Sequence, residues 1–458
     1  MSTILFRGGR VIDPASGIDG HFDIVVKDGA IAGIERPSAF FGAANALTID
    51  LAGKWIVPGL IDPHVHLRDP GYSEKETLTS GLKAAAAGGF TAVAAMANTS
   101  PVNDSPEITR YMLDAASRVN AARLVPVSAV TRGLAGREPV NYEAMMAAGA
   151  RLFSDDGAPI DDETILLGAY ERINRLGFAI SLHEEECGLS EGRAINAGPV
   201  AKKLGVAGIP DSAETSRVRR DLALAVGSGA AVHIAHVSAA VSATLIRAAR
   251  ARGANVTCEI TPHHFTLDDT AVLESGPDAK MNPPLRSREN VEALRAAMAD
   301  GTIDMIATDH APHDPGAKQA CALNGCFPRK AGGTGEALSP PQADALLRAA
   351  NGIVGLETAV GLAMRLVHDK LLTPMRMVEM MTLTPARLLR IAGGVLAPGA
   401  IADITVIDPD LVWTVDPEKF LSKSRNTPFA GMTLRGKPVM TLVNGEIVHD
   451  LMRQAESS

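Results

Sequence analysis

The sequence predicts an α/β protein: a (β/α)8 barrel of the TIM type carrying a small β domain made from both ends of the chain. Three observations lead there. Eight short apolar runs alternate with helix-like stretches between about residues 55 and 311. Those runs lack the polar alternation of a half-exposed strand, as expected for parallel strands covered on both faces. Eight such units in succession suggest a closed barrel. Finally, the two flanks are strand-like and broken by turn signals instead of helices.

Taken in order, the runs are WIVPGLIDPHVH, FTAVAAMAN (90–98), ARLVPVSAV (122–130), ARLFSDDG (150–157), FAISLHEE (178–185), AVHIAHVS (231–238), NVTCEITPHH (255–264) and IDMIATDHA (303–311). Stretches such as EITRYMLDAASRVNA (107–121), DETILLGAYERINRLG (162–177) and SRVRRDLALAVGSG (216–229) separate them, and residues 355–391 read as amphipathic helix. The flanks 3–35 and 402–449 contain KDG and NGE turn signals and pair as one folding unit. The expected domains are therefore residues 1–56 and 394–458, two parts of the β domain, around a barrel of residues 57–393. One segment, 314–350, is irregular and rich in Gly, Pro and Ala. Its AGGTGE only weakly resembles a phosphate loop, since no strand precedes it. Cys321 and Cys326 read as unpaired thiols before they read as zinc ligands.

Composition narrows the function. A hydrophobic share of 46% and a charged share of 21% are those of a globular protein. A formal charge of −8 with no evident basic face argues against nucleic-acid binding. Four cysteines in 458 residues make no disulfide framework, which fits a reducing cytoplasmic setting. No run has the length of a membrane span, and the start lacks the apolar segment of a signal peptide.

The chemistry gathers in the histidines. Of twelve, all but His21, His368 and His449 fall between His64 and His313, at or near predicted strand ends. That is the face on which barrels build active sites. In HVHLRDPG, His64 and His66 share one face of the first strand. A pair of core histidines would read the same way in isolation, but His183, His236 and Asp309 recur at the ends of later strands. Imidazoles with carboxylates suit zinc or a similar divalent ion, and they are too many for one tetrahedral ion, so two metals are implied.

HVHLRDPG, MANT, FSDDG, ITPHH, KMNPPLRS, ATDHAPH and SRNTPF (424–429) together resemble the dihydroorotases of the amidohydrolase superfamily, in their longer bacterial form. The resemblance implies reversible interconversion of L-dihydroorotate and N-carbamoyl-L-aspartate, a step of pyrimidine biosynthesis, on a pair of divalent ions, normally Zn2+. It implies the metal ligands His64, His66, Asp156, His183, His236 and Asp309. Many relatives bridge the metals with a carboxylated lysine on strand 4, but no lysine occurs between Lys83 and Lys202. The members this chain resembles use an aspartate just before a glycine, which matches Asp156; Asp155 then reads as a turn residue. By the same resemblance a metal-bridged hydroxide attacks the ring carbonyl, and Asp309 is general base and then general acid. Substrate contacts fall to His66, Arg68, Asn98, Asn282 and His313, with Arg68 the fixed cation for the substrate carboxylate. His233, His263 and His264 receive no role; an offset of three from His236 turns His233 towards the helices. The small-molecule substrate is joined, as implied partners, by further copies of the chain and by aspartate transcarbamoylase. Ala97 replaces the family's usual proline, and Asn351 precedes the NGIVGLE glycine, which puts that region's contribution over the substrate in question. The competing readings are a hydantoinase or allantoinase, disfavoured by Arg68 and the missing lysine, and an inactive scaffold, disfavoured by the complete ligand set.

Overall fold

A computed structural model describes residues 3–37, 46–318 and 337–456. Cys321, Cys326 and AGGTGE, all within residues 319–336 of the irregular segment, lie outside the described residues.

Eight parallel strands form one sheet in chain order: β1 (Leu60–Val65), β2 (Phe90–Ala95), β3 (Arg123–Ser128), β4 (Leu152–Phe153), β5 (Ile180–Leu182), β6 (Val232–Ile234), β7 (Val256–Ile260) and β8 (Met305–Ile306). Nearly every residue in them is buried, which is why they read as unbroken apolar runs. The sheet nearly closes. His66 N–H donates to the His310 carbonyl at 2.8 Å, and Asp62 within β1 accepts from the Thr308 N–H and, at 2.5 Å, from its hydroxyl. The strands are shorter than the apolar runs because the chain leaves the ladder as soon as it must aim side chains at the mouth. In β4 and β8 only two residues pair.

The flanks join, as expected, in a second sheet. Its strands run in the order Glu446–Asp450, Thr433–Val443, Ile404–Thr414, Trp55–Pro58, Ile4–Asp13, Ile18–Lys27 and Ala30–Glu35, with Leu47–Asp50 parallel to Ile4–Asp13. This sheet has its own apolar core, including Phe6, Val11, Ile24, Ile56, Ile404 and Leu442. Two threonines tie it to the N-terminal end of the barrel: Thr405 donates to the Gly89 carbonyl and Thr441 to the Ala86 carbonyl. The segment after Thr414 crosses to the opposite end. There the Asn426 carboxamide donates to the Ala311 and Gly352 carbonyls and accepts from His313 N–H. One end of the barrel is thus sealed by the second sheet, and the C-terminal mouth is where polar side chains collect. Among the described residues no helix is long and apolar enough to cross a membrane.

Candidate metal centre

All six expected ligands meet at the mouth. His64 is the last residue but one of β1 and His66 follows the strand; Asp156, His183, His236 and Asp309 sit just beyond β4, β5, β6 and β8 respectively. All are buried. The ligand atoms of five of them form two sets, His64–His66–Asp156 and Asp156–His183–His236, sharing Asp156, and Asp309 belongs to neither. Asp156 Oδ1 is 3.5 Å from His64 Nε2, 3.4 Å from His183 Nδ1 and 3.6 Å from His236 Nε2. Its Oδ2 is 3.5 Å from His66 Nε2, and Asp309 Oδ1 is 3.0 Å from that same nitrogen.

For three of the four imidazoles the ring nitrogen facing away from this centre is held by a neighbour, whereas His236 Nδ1 is buried with no hydrogen-bond partner. His64 Nδ1 donates to Glu259 Oε1 at 2.7 Å, and His66 Nδ1 donates to Asn98 Oδ1 at 2.9 Å. His183 Nε2 pairs with Glu185 Oε2 at 2.9 Å. These contacts leave a lone pair of each of the three imidazoles aimed at the centre, the arrangement metal-binding histidines require. His64 Nε2 and Asp156 Oδ1 are buried with no hydrogen-bond partner. A buried polar atom without a partner costs about 1–3 kcal/mol. Four imidazoles and two carboxylates, with such orphaned atoms at their focus, fit divalent cations of zinc-like chemistry.

Three of the eight non-glycine residues with positive φ among the described residues lie here. Arg68, His236 and Asp309 have φ of 61°, 31° and 47°, a region L-residues with side chains adopt at a cost. Left-handed residues therefore help to aim His236 and Asp309, whereas His64 and His66 keep the i, i+2 spacing of β1. The electrostatics are divided. Burial opposes ionisation of Asp156, but the facing His64, His183 and His236 outweigh it and hold its carboxyl well below the usual range. Asp309 is likewise held low, burial being overcome by His66, His64 and His236.

Around the ligands, Arg68 Nε donates to the Pro312 carbonyl at 3.2 Å, and its Nη2 is 3.4 Å from His313 Nε2. The His313 ring nitrogen Nε2 is also 2.6 Å from the Asn351 carbonyl. Burial first, then Arg68, pushes the His313 pKa down to about 3. Asn282 donates to Glu185 Oε2 at 2.7 Å. Asn98, besides accepting from His66, donates to Asp156 Oδ2 at 3.4 Å, so its carboxamide braces two ligands. NGIVGL packs behind the last strand. Ala311 N–H donates to the Ile353 carbonyl at 2.7 Å, and a Cβ on Gly352 (φ 108°) would fall 2.5 Å from that of Ala311.

Two expectations are corrected. Asp155 is no mere turn residue: it is buried and accepts from Val130 N–H at 2.7 Å, Thr131 N–H at 3.1 Å and the Thr131 hydroxyl, fastening the β4 end to the β3 loop. His233 does not face the helices. β6 ends at Ile234, so its alternation never reaches His236, and the His233 side chain points inward to Glu259. Glu185 and Glu259 are absent from the expected site, although each is a charged residue inside or directly after an apolar run (FAISLHEE, NVTCEI), where a charge needs a reason. His263 and His264 occupy a short helix, Pro262–Thr266; His264 bonds Thr261 Oγ1 and the Pro283 carbonyl.

Comparison with known proteins follows this geometry. Residues 53–242 match the family described as Dihydro-orotase-like, and residues 208–449 match the Amidohydrolase family. A dihydroorotase of Pelotomaculum thermopropionicum is 46% identical over 97% of this chain and 98% of its own length. One of Syntrophus aciditrophicus is 45% identical over 97% and 99%. In structure the chain is similar to an L-hydantoinase (dihydropyrimidinase) from Arthrobacter aurescens, with a TM-score of 0.83 and 26% identity over 98% of this chain and 96% of that one. A D-hydantoinase (dihydropyrimidinase) from Thermus sp. has a TM-score of 0.77 at 24% identity, over 98% and 95%, a likeness of fold alone.

Proposed function

Because this chain belongs to the dihydroorotase family and acts as a dihydroorotase, we propose how its own residues share the reversible hydrolysis of L-dihydroorotate to N-carbamoyl-L-aspartate. His64, His66, Asp156, His183, His236 and Asp309 would hold two divalent ions, which we take to be Zn2+, with Asp156 serving both. The observation that carries this is the membership of Asp156 in both ligand sets. Such a pair, when bound, supplies a water of lowered pKa and polarises the ring carbonyl. Asp309 moves the proton: its carboxylate takes one from the attacking water and returns it to the departing ring nitrogen, and in the reverse direction removes one from the carbamoyl nitrogen. Asp309 suits the task because it is buried, ionised and fixed by His66.

Arg68 binds the substrate carboxylate as a fixed cation, with His313 beside it as a neutral partner. Asn282 and Asn98 line the same space, although Asn98 also braces His66 and Asp156. A homo-oligomer in the cytoplasm, with aspartate transcarbamoylase as a further partner, completes the proposal on family grounds. Metal analysis coupled to a carbamoyl-aspartate cyclisation assay tests the whole: two equivalents of zinc and metal-dependent ring closure are expected, and turnover in fully chelated protein would refute it. The structural likeness to a hydantoinase keeps that activity as the rival reading. Arg68→Met separates the two. Loss of a bidentate carboxylate partner should raise KM for dihydroorotate about tenfold or more. A hydantoinase would lose nothing with hydantoin, which has no carboxylate.

A further inference from the structure

Every hydrogen-bond partner that the carboxylate of Glu259 has among the described residues belongs to, or braces, the metal shell. Its Oε1 accepts from His64 Nδ1 at 2.7 Å and from the backbone N–H of His236 at 3.2 Å. Its Oε2 accepts from His233 Nε2 at 3.0 Å, and His233 Nδ1 is 2.9 Å from Thr257 Oγ1. Glu259 and His233 are each 1% exposed, and no Lys or Arg ion pair reaches Glu259 among the described residues. A buried carboxylate costs much more than an apolar residue of the same volume, so packing does not explain it.

We propose that Glu259, oriented by His233, is a positioning residue for both metal sets. The inference rests on the metal reading above and deepens it. On the first set, Glu259 fixes the tautomer and ring plane of His64, leaving Nε2 to ligate. On the second, it holds the main chain of His236 at a φ of 31°, a turn that aims the imidazole at Asp156. His233 keeps the second oxygen engaged, so that the carboxylate cannot rotate away from His64. One side chain on β7 thereby sets the geometry of ligands from β1 and β6.

Zinc affinity, measured by competition with a chromogenic chelator on the full-length protein, provides the test, with thermal unfolding of the chelator-stripped protein alongside. Glu259→Gln and His233→Leu should weaken zinc binding about 10–100-fold, the range typical for partners of metal ligands. His233→Gln retains an N–H donor near the position of Nε2 and should restore affinity to within about threefold of wild type. If Glu259→Gln and His233→Leu bind zinc like wild type, or His233→Gln is as impaired as His233→Leu, the positioning role is overturned. Should Leu at 233 prevent folding, Glu259→Gln against His233→Gln decides by the same criteria. Failure of the premise looks different: His64→Ala would then leave zinc binding unchanged.

Discussion

The ring of ligands at the barrel mouth and the layer of carboxylates that supports it use the same side chains in opposite ways. Asp156 and Asp309 face imidazoles, and their carboxyl groups are held below the ordinary range despite complete burial. Asp62, Asp155 and Glu357 face backbone N–H groups and hydroxyls, and burial pushes them up, to about 7, about 6 and about 7. Neutral dipoles stabilise a buried carboxylate less than a positive charge in its surroundings does, so the surroundings, and not the residue type, sort the binding carboxylates from the building ones. Glu259 is instructive because it lies in the supporting layer yet is held low like the ligands: burial is outweighed by His64 and His233.

Replacing the shared ligand should break this comparison most severely. Asp156→Ala removes a member of both sets, so metal content and turnover should fall together, metal to well under half of wild type and turnover to background. Added bicarbonate should restore neither, since no lysine stands in that region to be carboxylated. Elemental analysis beside the cyclisation assay reads both quantities, and a fully active Asp156→Ala protein would rule out the bridge. Asp309→Asn is gentler on the metal and hard on chemistry. The amide keeps an oxygen for the shell but cannot accept and return a proton, so turnover should drop by roughly 10²–10⁴ in both directions. Metal content should fall less than with Asp156→Ala. Near-normal turnover at any pH would exclude Asp309 from proton transfer.

Asp155→Ala sharpens the contrast between neighbours. Its loss strands Val130 N–H, Thr131 N–H and the Thr131 hydroxyl in the interior. Stability should fall by roughly 1–3 kcal/mol, read as a lower denaturation midpoint. Zinc bound per folded molecule should stay near wild type, and metal loss equal to that of Asp156→Ala would erase the distinction between the two layers.

These adjacent aspartates also mark how far the sequence can be read. The barrel is legible because parallel strands covered on both faces leave apolar runs. The ligands are legible because histidines and carboxylates at the ends of such runs are costly to bury unless they bind something. Legibility stops where side-chain direction depends on the strand ends. Asp155 and Asp156 follow a strand of two residues, Leu152–Phe153, so local pattern says nothing about which one turns inward. His233 is misdirected when alternation is extended past Ile234, where the ladder has already ended. Asn426 clamps the mouth from 113 residues beyond His313, a contact that only the tertiary fold creates. Glu259 and Glu185 are readable in principle, as charges in apolar surroundings, though nothing local names their partners.

The last expected effect is confined to the upper end of the pH range and isolates burial of a carboxylate from any ligand role. Glu357 accepts from Leu421 and Ser422 N–H at 2.8 and 3.1 Å through one oxygen, and burial raises it from 4.5 to about 7. The folded chain thus binds this proton more tightly than the unfolded chain does between those pH values. Stability from this group is complete below about 4.5, declines as pH rises, and is lost above about 7. Glu357→Gln keeps the accepting carbonyl and removes the ionisation, so it should match wild type near pH 4.5 and exceed it by roughly 1–3 kcal/mol at pH 8. Denaturant unfolding of zinc-loaded protein at the two pH values checks this, with turnover at pH 8 expected to be unchanged. A Glu357→Gln protein whose stability tracks wild type at both pH values would mean that the Leu421 and Ser422 donors already compensate the buried charge, and the building carboxylates would then differ from the binding ones in partner alone, not in cost.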